Sequence, residues 1–135
     1  MASVYREAAI AAPPEKVWAA LADFGAVHER LVPGFVTACT VDDAGATRTV
    51  TFHNGSVARE VLVGRDDDHR RLAYTVVDGP LDAQHHNAAA QVLPGPDDTS
   101  RFVWVTDVLP DHLAPTVGQM MEAGLAVMAH TLGPD

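Results

Sequence analysis

The chain is interrupted at short intervals by turn signals between Phe35 and Leu109, and this spacing constrains its fold more than any other feature. Segments rich in Val, Thr, Ala and aromatic residues alternate with turn sequences such as Asn54-Gly55 and Asp78-Gly79-Pro80. Parallel strands need crossover connections of a dozen residues or more, and these connections are shorter. The pattern therefore predicts an antiparallel meander of six strands. We place them at Phe35–Val41, Ala46–His53, Val57–Val63, Leu72–Val77, His86–Leu93 and Phe102–Leu109.

Helical periodicity flanks this meander on both sides. Residues 4–10 are typical of a strand, and Pro14 is suited to the first position of a helix that continues to Phe24, with a further helical turn or two before Pro33. An apolar stripe at helical spacing then predicts one long terminal helix over about residues 110–132. A sheet with one apolar face needs a covering layer. We therefore predict an α+β fold, in which a seven-stranded antiparallel sheet is covered by the C-terminal helix.

Composition excludes several classes of function. The length of 135 residues predicts a single domain over residues 1–135. Nine basic against eighteen acidic residues give a formal net charge of −9, which disfavours nucleic-acid binding. Cys39 is the only cysteine, so no intramolecular disulfide can form. The N-terminal residues do not have the pattern of a signal or transit peptide, and no apolar run reaches the roughly 18 residues of a membrane span. We expect a cytoplasmic protein.

The seven histidines do not form a recognisable metal-binding pattern. His85 and His86 are adjacent on a predicted strand and therefore point to opposite faces of the sheet. The chain contains no H-E-x-x-H pair, no P-loop and no G-x-S-x-G elbow. We expect no metal ion and no nucleotide or other cofactor.

Strand alternation sorts the side chains into an outer and an inner set. Along residues 85–92 the polar His85, Asn87 and Gln91 share one face, so His86 points beneath the terminal helix. Small residues facing a Met-rich helix leave volume, and an apolar cavity with a few polar groups is typical of a ligand site. The predicted lining is Phe52, Tyr74, His86, Ala88, Trp104, Val117, Met120, Met121 and Gly124. Methionines that simply fill the core are the alternative.

The register of the predicted strand Val57–Val63 remains open at this point. If Asn54-Gly55 forms a two-residue turn, Arg59 points inward, whereas a three-residue loop with a bulged Gly55 turns Glu60 inward. An inward Glu60 has two possible partners. Arg48 shares the inward phase of its own strand, so that a buried ion pair is one outcome. A pair between Glu60 and His86, acting as general acid and base, is the other.

Residues 4–132 resemble the START-like helix-grip (SRPBCC) superfamily, and in particular its polyketide cyclase/dehydrase-type bacterial members. The resemblance begins with residues 10–24, which read IAAPPEKVWAALADF and are similar to the family opening I-x-A-P-x-E-x-V-W-x-x-L-x-D-F. It continues through Arg59-Glu60-Val61-Leu62, Asp78-Gly79-Pro80-Leu81 and Val103-Trp104. It implies a seven-stranded sheet curled around the terminal helix, two short helices after the first strand, and a cavity between sheet and helix.

Plant hormone receptors of the same superfamily have a similar "E-R-L" strand whose Glu faces the ligand. The resemblance therefore implies an inward Glu60, and it places His86, Ala88 and Trp104 at pocket positions. The chain departs from those receptors at the pocket mouth, where Arg30-Leu31-Val32-Pro33 replaces a Trp-containing segment, and at the gating loop, which is reduced to Asn54-Gly55. A hormone-receptor role is therefore not implied.

Together these features predict a protein that binds a hydrophobic small molecule, with polyketide-type cyclase or dehydratase chemistry as a further option. Glu60 and His86 are then the candidate catalytic residues. The alternative is a non-catalytic interaction module of the co-chaperone or toxin-like branch, in which the cavity is vestigial. We expect a monomer or a homodimer.

Overall fold

The computed structural model describes residues 2–134, so Met1 and Asp135, the ends of the predicted domain, lie outside the described residues. The chain begins with strand β1 and helix α1, continues through six further strands, and ends with helix α2. The bounds are β1 Ala2–Ile10, α1 Pro14–Ala22, β2 Val36–Val41, β3 Thr47–Phe52, β4 Val57–Asp66, β5 Arg71–Asp78, β6 His85–Pro94, β7 Ser100–Leu109 and α2 Ala114–Leu132.

The seven strands form one antiparallel sheet in the order β1-β7-β6-β5-β4-β3-β2. Strands β2 to β7 follow one another as a meander, and β1 pairs with β7 from Ala2 opposite Val108 to Ile10 opposite Ser100. Successive hairpins place neighbouring strands side by side, as the short connections predict. The predicted fold class is confirmed.

Helix α2 covers one face of this sheet. Its buried residues include Val117, Met121, Leu125 and Met128, which recur at helical spacing along one side of the helix. The helix begins at Ala114, four residues after the predicted start, because Asp111–Leu113 form a separate 3₁₀ turn. No helix among residues 2–134 is both long enough and apolar enough to span a membrane.

The segment between β1 and β2 closes one end of the sheet. Pro14 is the first residue of α1, where its missing N–H costs no hydrogen bond. The helix ends at Ala22 rather than Phe24, and a 3₁₀ turn at Phe24–Ala26 and a π turn at Val27–Leu31 follow it. Helix α1 and the helical turns that follow it correspond to the two short helices that were predicted after the first strand.

The β3–β4 hairpin resolves the register that the sequence left open. The Phe52 N–H donates to the Ser56 carbonyl at 2.8 Å, so the loop contains three residues, and Gly55 has φ of +86°. A positive φ is accessible to glycine because it has no Cβ. Thr51 then pairs with Val57, which turns Glu60 into the interior and leaves Arg59 exposed.

Candidate functional site

An internal cavity of about 210 Å³ lies between the sheet and α2. Strands β3 to β7 contribute one side of it, and the N-terminal half of α2 contributes most of the other. The surrounding walls are largely aliphatic and aromatic. Eight of the residues predicted from the sequence lie in its lining, namely Phe52, Glu60, Tyr74, His86, Trp104, Val117, Met120 and Met121.

Strand register explains why a cavity forms over β6. On the inward face of this strand, Ala88 lies between Tyr74 of β5 and Thr106 of β7, and Ala90 lies opposite Trp104. Alanine leaves the space above it free, and long side chains reach neighbours across and diagonally on adjacent strands. The large side chains of Tyr74 and Trp104 therefore flank the small residues of β6. The space between Tyr74, Trp104 and helix α2 remains unfilled.

Two predicted lining residues belong to the packing beneath the cavity instead. Ala88 is only 1% exposed and is not part of the lining, whereas Ala90 is. Gly124 is not part of it either, because a Cβ added there would lie 3.3 Å from Cζ3 of the Trp104 ring. The helix thus approaches the indole closely at Gly124. The alternation of β6 identified the inward phase of Ala88, and the helical spacing of α2 identified that of Gly124, but neither pattern shows which inward residues border empty space.

Some residues of the cavity wall were not predicted from the sequence. Phe35 lines the cavity and contacts Phe52 edge-on, with ring centroids 5.8 Å apart. The segment of residues 76–83, which comprises the end of β5 and the loop that follows it, also contributes, and its members Val77, Asp78 and Pro80 are exposed to solvent. This segment therefore forms the mouth of the cavity. The only signal for it in the sequence was the Asp78-Gly79-Pro80-Leu81 motif.

One end of the cavity contains a buried ion pair. Arg48 Nε donates to Glu60 Oε1 at 2.8 Å, and the two side chains are only 8% and 10% exposed. Arg48 Nη1 also donates to the Phe24 carbonyl at 3.1 Å, and the guanidinium lies 4.0 Å from the centroid of the Phe24 ring. The partner of Glu60 is therefore Arg48, which is the first of the two outcomes that the sequence allowed.

The other end of the cavity has polar groups without such partners, and Tyr74 lies between the two ends, since the centre of its ring is 5.3 Å from the Arg48 guanidinium. The buried Nε1 of Trp104 makes no hydrogen bond within residues 2–134. Burial raises the pKa of the Tyr74 hydroxyl, and the Glu60 carboxylate raises it further, while Arg48 and the Trp104 indole act in the opposite direction. The indole N–H thus lies close enough to influence the Tyr74 oxygen without the geometry of a full hydrogen bond.

His86 is the titratable group of this second end. Burial lowers its pKa below the ordinary value of 6.5, and the neighbouring His85 lowers it further. The imidazole is therefore neutral at pH 7 and able to accept a proton. Because the hydrogen bond of Glu60 is made to Arg48, the predicted acid–base pair of Glu60 and His86 is not formed.

No group of three or more His, Cys, Asp or Glu side chains in the described part of the chain is arranged to hold a metal ion. The arrangement can therefore be described from the protein groups alone. It comprises an apolar chamber, a fully paired charged end, and a neutral end that offers the Tyr74 hydroxyl and the His86 imidazole.

Comparison with known proteins agrees with this architecture. A family model described as "Polyketide cyclase / dehydrase and lipid transport" matches residues 1–133. No curated protein matches the chain.

Several solved structures share the fold. The protein XoxI from Bacillus cereus is 20% identical over 98% of this chain and 96% of its own, with a TM-score of 0.89. A protein from Thermobifida fusca is 31% identical, with 96% and 91% of the two chains covered and a TM-score of 0.78. Truncated norcoclaurine synthase from Thalictrum flavum is 19% identical, with 97% and 90% covered and a TM-score of 0.73.

Proposed function

Because this chain belongs to the polyketide cyclase/dehydrase and lipid transport family, we propose that it binds a small lipophilic molecule in the cavity between the sheet and α2. The observation that carries this proposal is the cavity itself, about 210 Å³ of space that the side chains of a well-packed core would fill. Its lining combines mostly apolar walls with a few polar groups, which is the usual composition of a ligand pocket.

The cavity volume limits the size of the ligand. An apolar cavity of about 150 Å³ accommodates benzene, so scaling by volume gives roughly eight non-hydrogen atoms for this one, and a ligand that reaches into the mouth has room for one or two more. A one- or two-ring compound of that size fits inside. A multi-ring polyketide or a long acyl chain would extend through the mouth at residues 76–83.

Direct binding of a probe of this size tests the proposal. We expect 1-methylindane, with ten non-hydrogen atoms, to bind the purified protein in an NMR titration, and to shift resonances of residues around the cavity. Met120→Trp places a bulky ring at the cavity wall and should weaken binding at least tenfold. Ala126→Trp, on the exposed side of the same helix, is the matched control and should bind as the unmodified protein does.

Equal binding by Met120→Trp and Ala126→Trp would place the probe elsewhere, and absence of binding to the unmodified protein would refute the proposal. Native mass spectrometry of protein purified from its own host adds an independent measurement. It looks for a co-purified compound of the expected mass range.

A second candidate function is proton transfer on a bound carbonyl compound, as a cyclase or dehydratase requires. It is favoured by the neutral imidazole of His86 in the cavity wall, since a general base must be unprotonated at the working pH. The test is the exchange of α-protons of 1-indanone in D₂O, followed by NMR. We expect exchange above the buffer rate, and loss of that excess in His86→Gln. Exchange at the buffer rate would rule out this activity for that ketone.

The alternative from the sequence was an interaction module with a vestigial cavity. Such a module requires a filled interior, and the cavity of about 210 Å³ argues against it. A cytoplasmic location and a monomeric or homodimeric state remain predictions from the sequence.

A further inference from the structure

We propose that the cavity selects an uncharged one- or two-ring compound with an acceptor oxygen, such as a ketone, and that this oxygen accepts a hydrogen bond from the Tyr74 hydroxyl. This inference rests on the proposed function and specifies the chemical class of its ligand. It is carried by three features of the described residues: the charge balance of the interior, the charge of the mouth, and the donors at the neutral end.

The interior charges cancel each other. The guanidinium of Arg48 and the carboxylate of Glu60 are joined at 2.8 Å, and a second donor of Arg48 is used by the Phe24 carbonyl. Its face is covered by the Phe24 ring. An anionic ligand would therefore compete with Glu60 for the guanidinium, a cationic ligand would compete with Arg48 for the carboxylate, and either would lose its hydration shell on entry.

The mouth adds a bias against anions. Asp78 and Asp82 are exposed residues of the cavity lining, and the whole chain has a formal net charge of −9. An anion approaching this entrance is repelled. A cation is attracted at the rim, but inside it meets the Glu60 carboxylate already paired with Arg48. Only an uncharged ligand avoids both costs.

The neutral end offers donors. Tyr74 lines the cavity, and because burial raises the pKa of its hydroxyl, this group remains protonated well above neutral pH. Trp104 Nε1 is an N–H donor that is buried without a partner, on the strand beyond β6 from Tyr74. The complement to this arrangement is an acceptor oxygen on the ligand.

The decisive experiment compares two probes of equal size on two variants. 1-Indanone and 1-methylindane each have ten non-hydrogen atoms, but only the ketone has an acceptor. Tyr74→Phe removes the hydroxyl and keeps the ring. Tyr5→Phe removes the hydroxyl of the other tyrosine, which is half exposed and bonded to Glu7, and is the matched control.

We expect Tyr74→Phe to raise the Kd of 1-indanone about tenfold, as loss of one hydrogen bond in a dry site does, and to leave the Kd of 1-methylindane within about twofold. The comparison between probes removes the difference in their hydrophobicity, since only the change caused by the variant is compared. Tyr5→Phe should change neither Kd. Unfolding curves in urea establish that both variants are folded.

Equal changes for both probes in Tyr74→Phe, or no change for the ketone, would overturn the inference. Binding of the hydrocarbon without binding of the ketone would overturn it as well, while leaving the proposed function intact. If neither probe binds, both proposals fail.

The charge argument is tested on the unmodified protein and needs no variant. At pH 7 indane-1-carboxylate should bind at least tenfold more weakly than indane-1-carboxamide, an uncharged compound of the same size that also has an acceptor oxygen. Equal or tighter binding of the carboxylate would contradict the selection for uncharged ligands.

Discussion

The two ends of the cavity contain buried polar groups in opposite states. At the β3–β4 end, Arg48 donates to Glu60 and to the Phe24 carbonyl, and its guanidinium faces the rings of Phe24 and Tyr74. At the β5–β7 end, Trp104 Nε1 has no partner within residues 2–134, and the Tyr74 hydroxyl and the neutral His86 border open space. Both ends are inward-facing positions of the same sheet.

The difference separates a structural polar cluster from a candidate binding group. A buried group that is satisfied within the protein stabilises one arrangement of the chain and has little left for a ligand. A buried donor without a partner lowers stability, and a ligand acceptor can satisfy it. We therefore assign the Arg48–Glu60 pair to the fold and the Tyr74 end to recognition.

The largest expected effect is at the paired end. Glu60→Gln removes the charge that compensates Arg48, so the free energy of unfolding should fall by about 3–5 kcal/mol, as measured by urea denaturation. Arg48→Met combined with Glu60→Leu removes both charges and should recover most of that loss. A Glu60→Gln variant with unchanged stability and altered probe binding would assign Glu60 to the ligand instead.

The same substitution at the surface is the control. Glu7 lies 3.5 Å from Arg101, and both side chains are about half exposed. Glu7→Gln should cost less than about 1 kcal/mol, because exposed ion pairs are screened by water. A cost similar to that of Glu60→Gln would show that burial is not the cause of the difference.

A smaller effect is expected where α2 contacts the neutral end. Gly124→Leu places side-chain atoms against the Trp104 ring, to which even a Cβ would approach within 3.3 Å. Overpacking of this kind should lower the free energy of unfolding by about 1–3 kcal/mol and alter the near-ultraviolet circular dichroism of the indole. Ala123→Leu, at the neighbouring exposed position, should change neither. An unaffected Gly124→Leu variant would mean that this part of the helix stands further from the sheet.

The smallest effect concerns pH. The pKa of His86 in the folded protein lies below 6.5, the ordinary value that applies to the unfolded chain. At a pH between these two pKa values the unfolded chain binds more protons than the folded protein does, so the free energy of unfolding rises with pH. This contribution is complete above about pH 6.5 and is lost as the pH falls through the window. Urea midpoints between pH 4.5 and 7.5 should show a shallower rise for His86→Asn than for the unmodified protein. Exposed His130→Asn should keep the full slope, and a slope retained in His86→Asn would assign the titration to another group.

The inward faces of the strands could be predicted from the sequence alone. Alternation gives Val50, Leu72 and Phe102 the same inward phase as the predicted lining residues two positions further along, and all three are at most 2% exposed. It also placed His86 inside and His85 outside, which the structure reproduces. These positions follow from the period of two in a strand, a local property that does not depend on which strand pairs with which.

The composition of the site depended on relations between distant residues. Whether Arg59 or Glu60 faces inward was decided by the bulged Gly55 loop, which shifts the register of β4 by one residue relative to a two-residue turn. Whether Glu60 contacts Arg48 or His86 was decided by β3 and β4 being neighbours, while β6 lies beyond β5. Neither relation is encoded in the alternation of a single strand.

The sequence by itself determined the α+β class, the antiparallel meander, the covering helix and the inward phase of strands such as β3, β5, β6 and β7, because hydrophobic period and turn chemistry act over a few residues. Only the tertiary structure decided which inward residues border empty space. Ala88 and Gly124 have the pattern of lining residues. Ala88, however, is enclosed between its neighbours on β5 and β7, and Gly124 is the position at which α2 comes close to the Trp104 ring. A cavity is the volume left over when every side chain has been placed, so it depends on all of them at once.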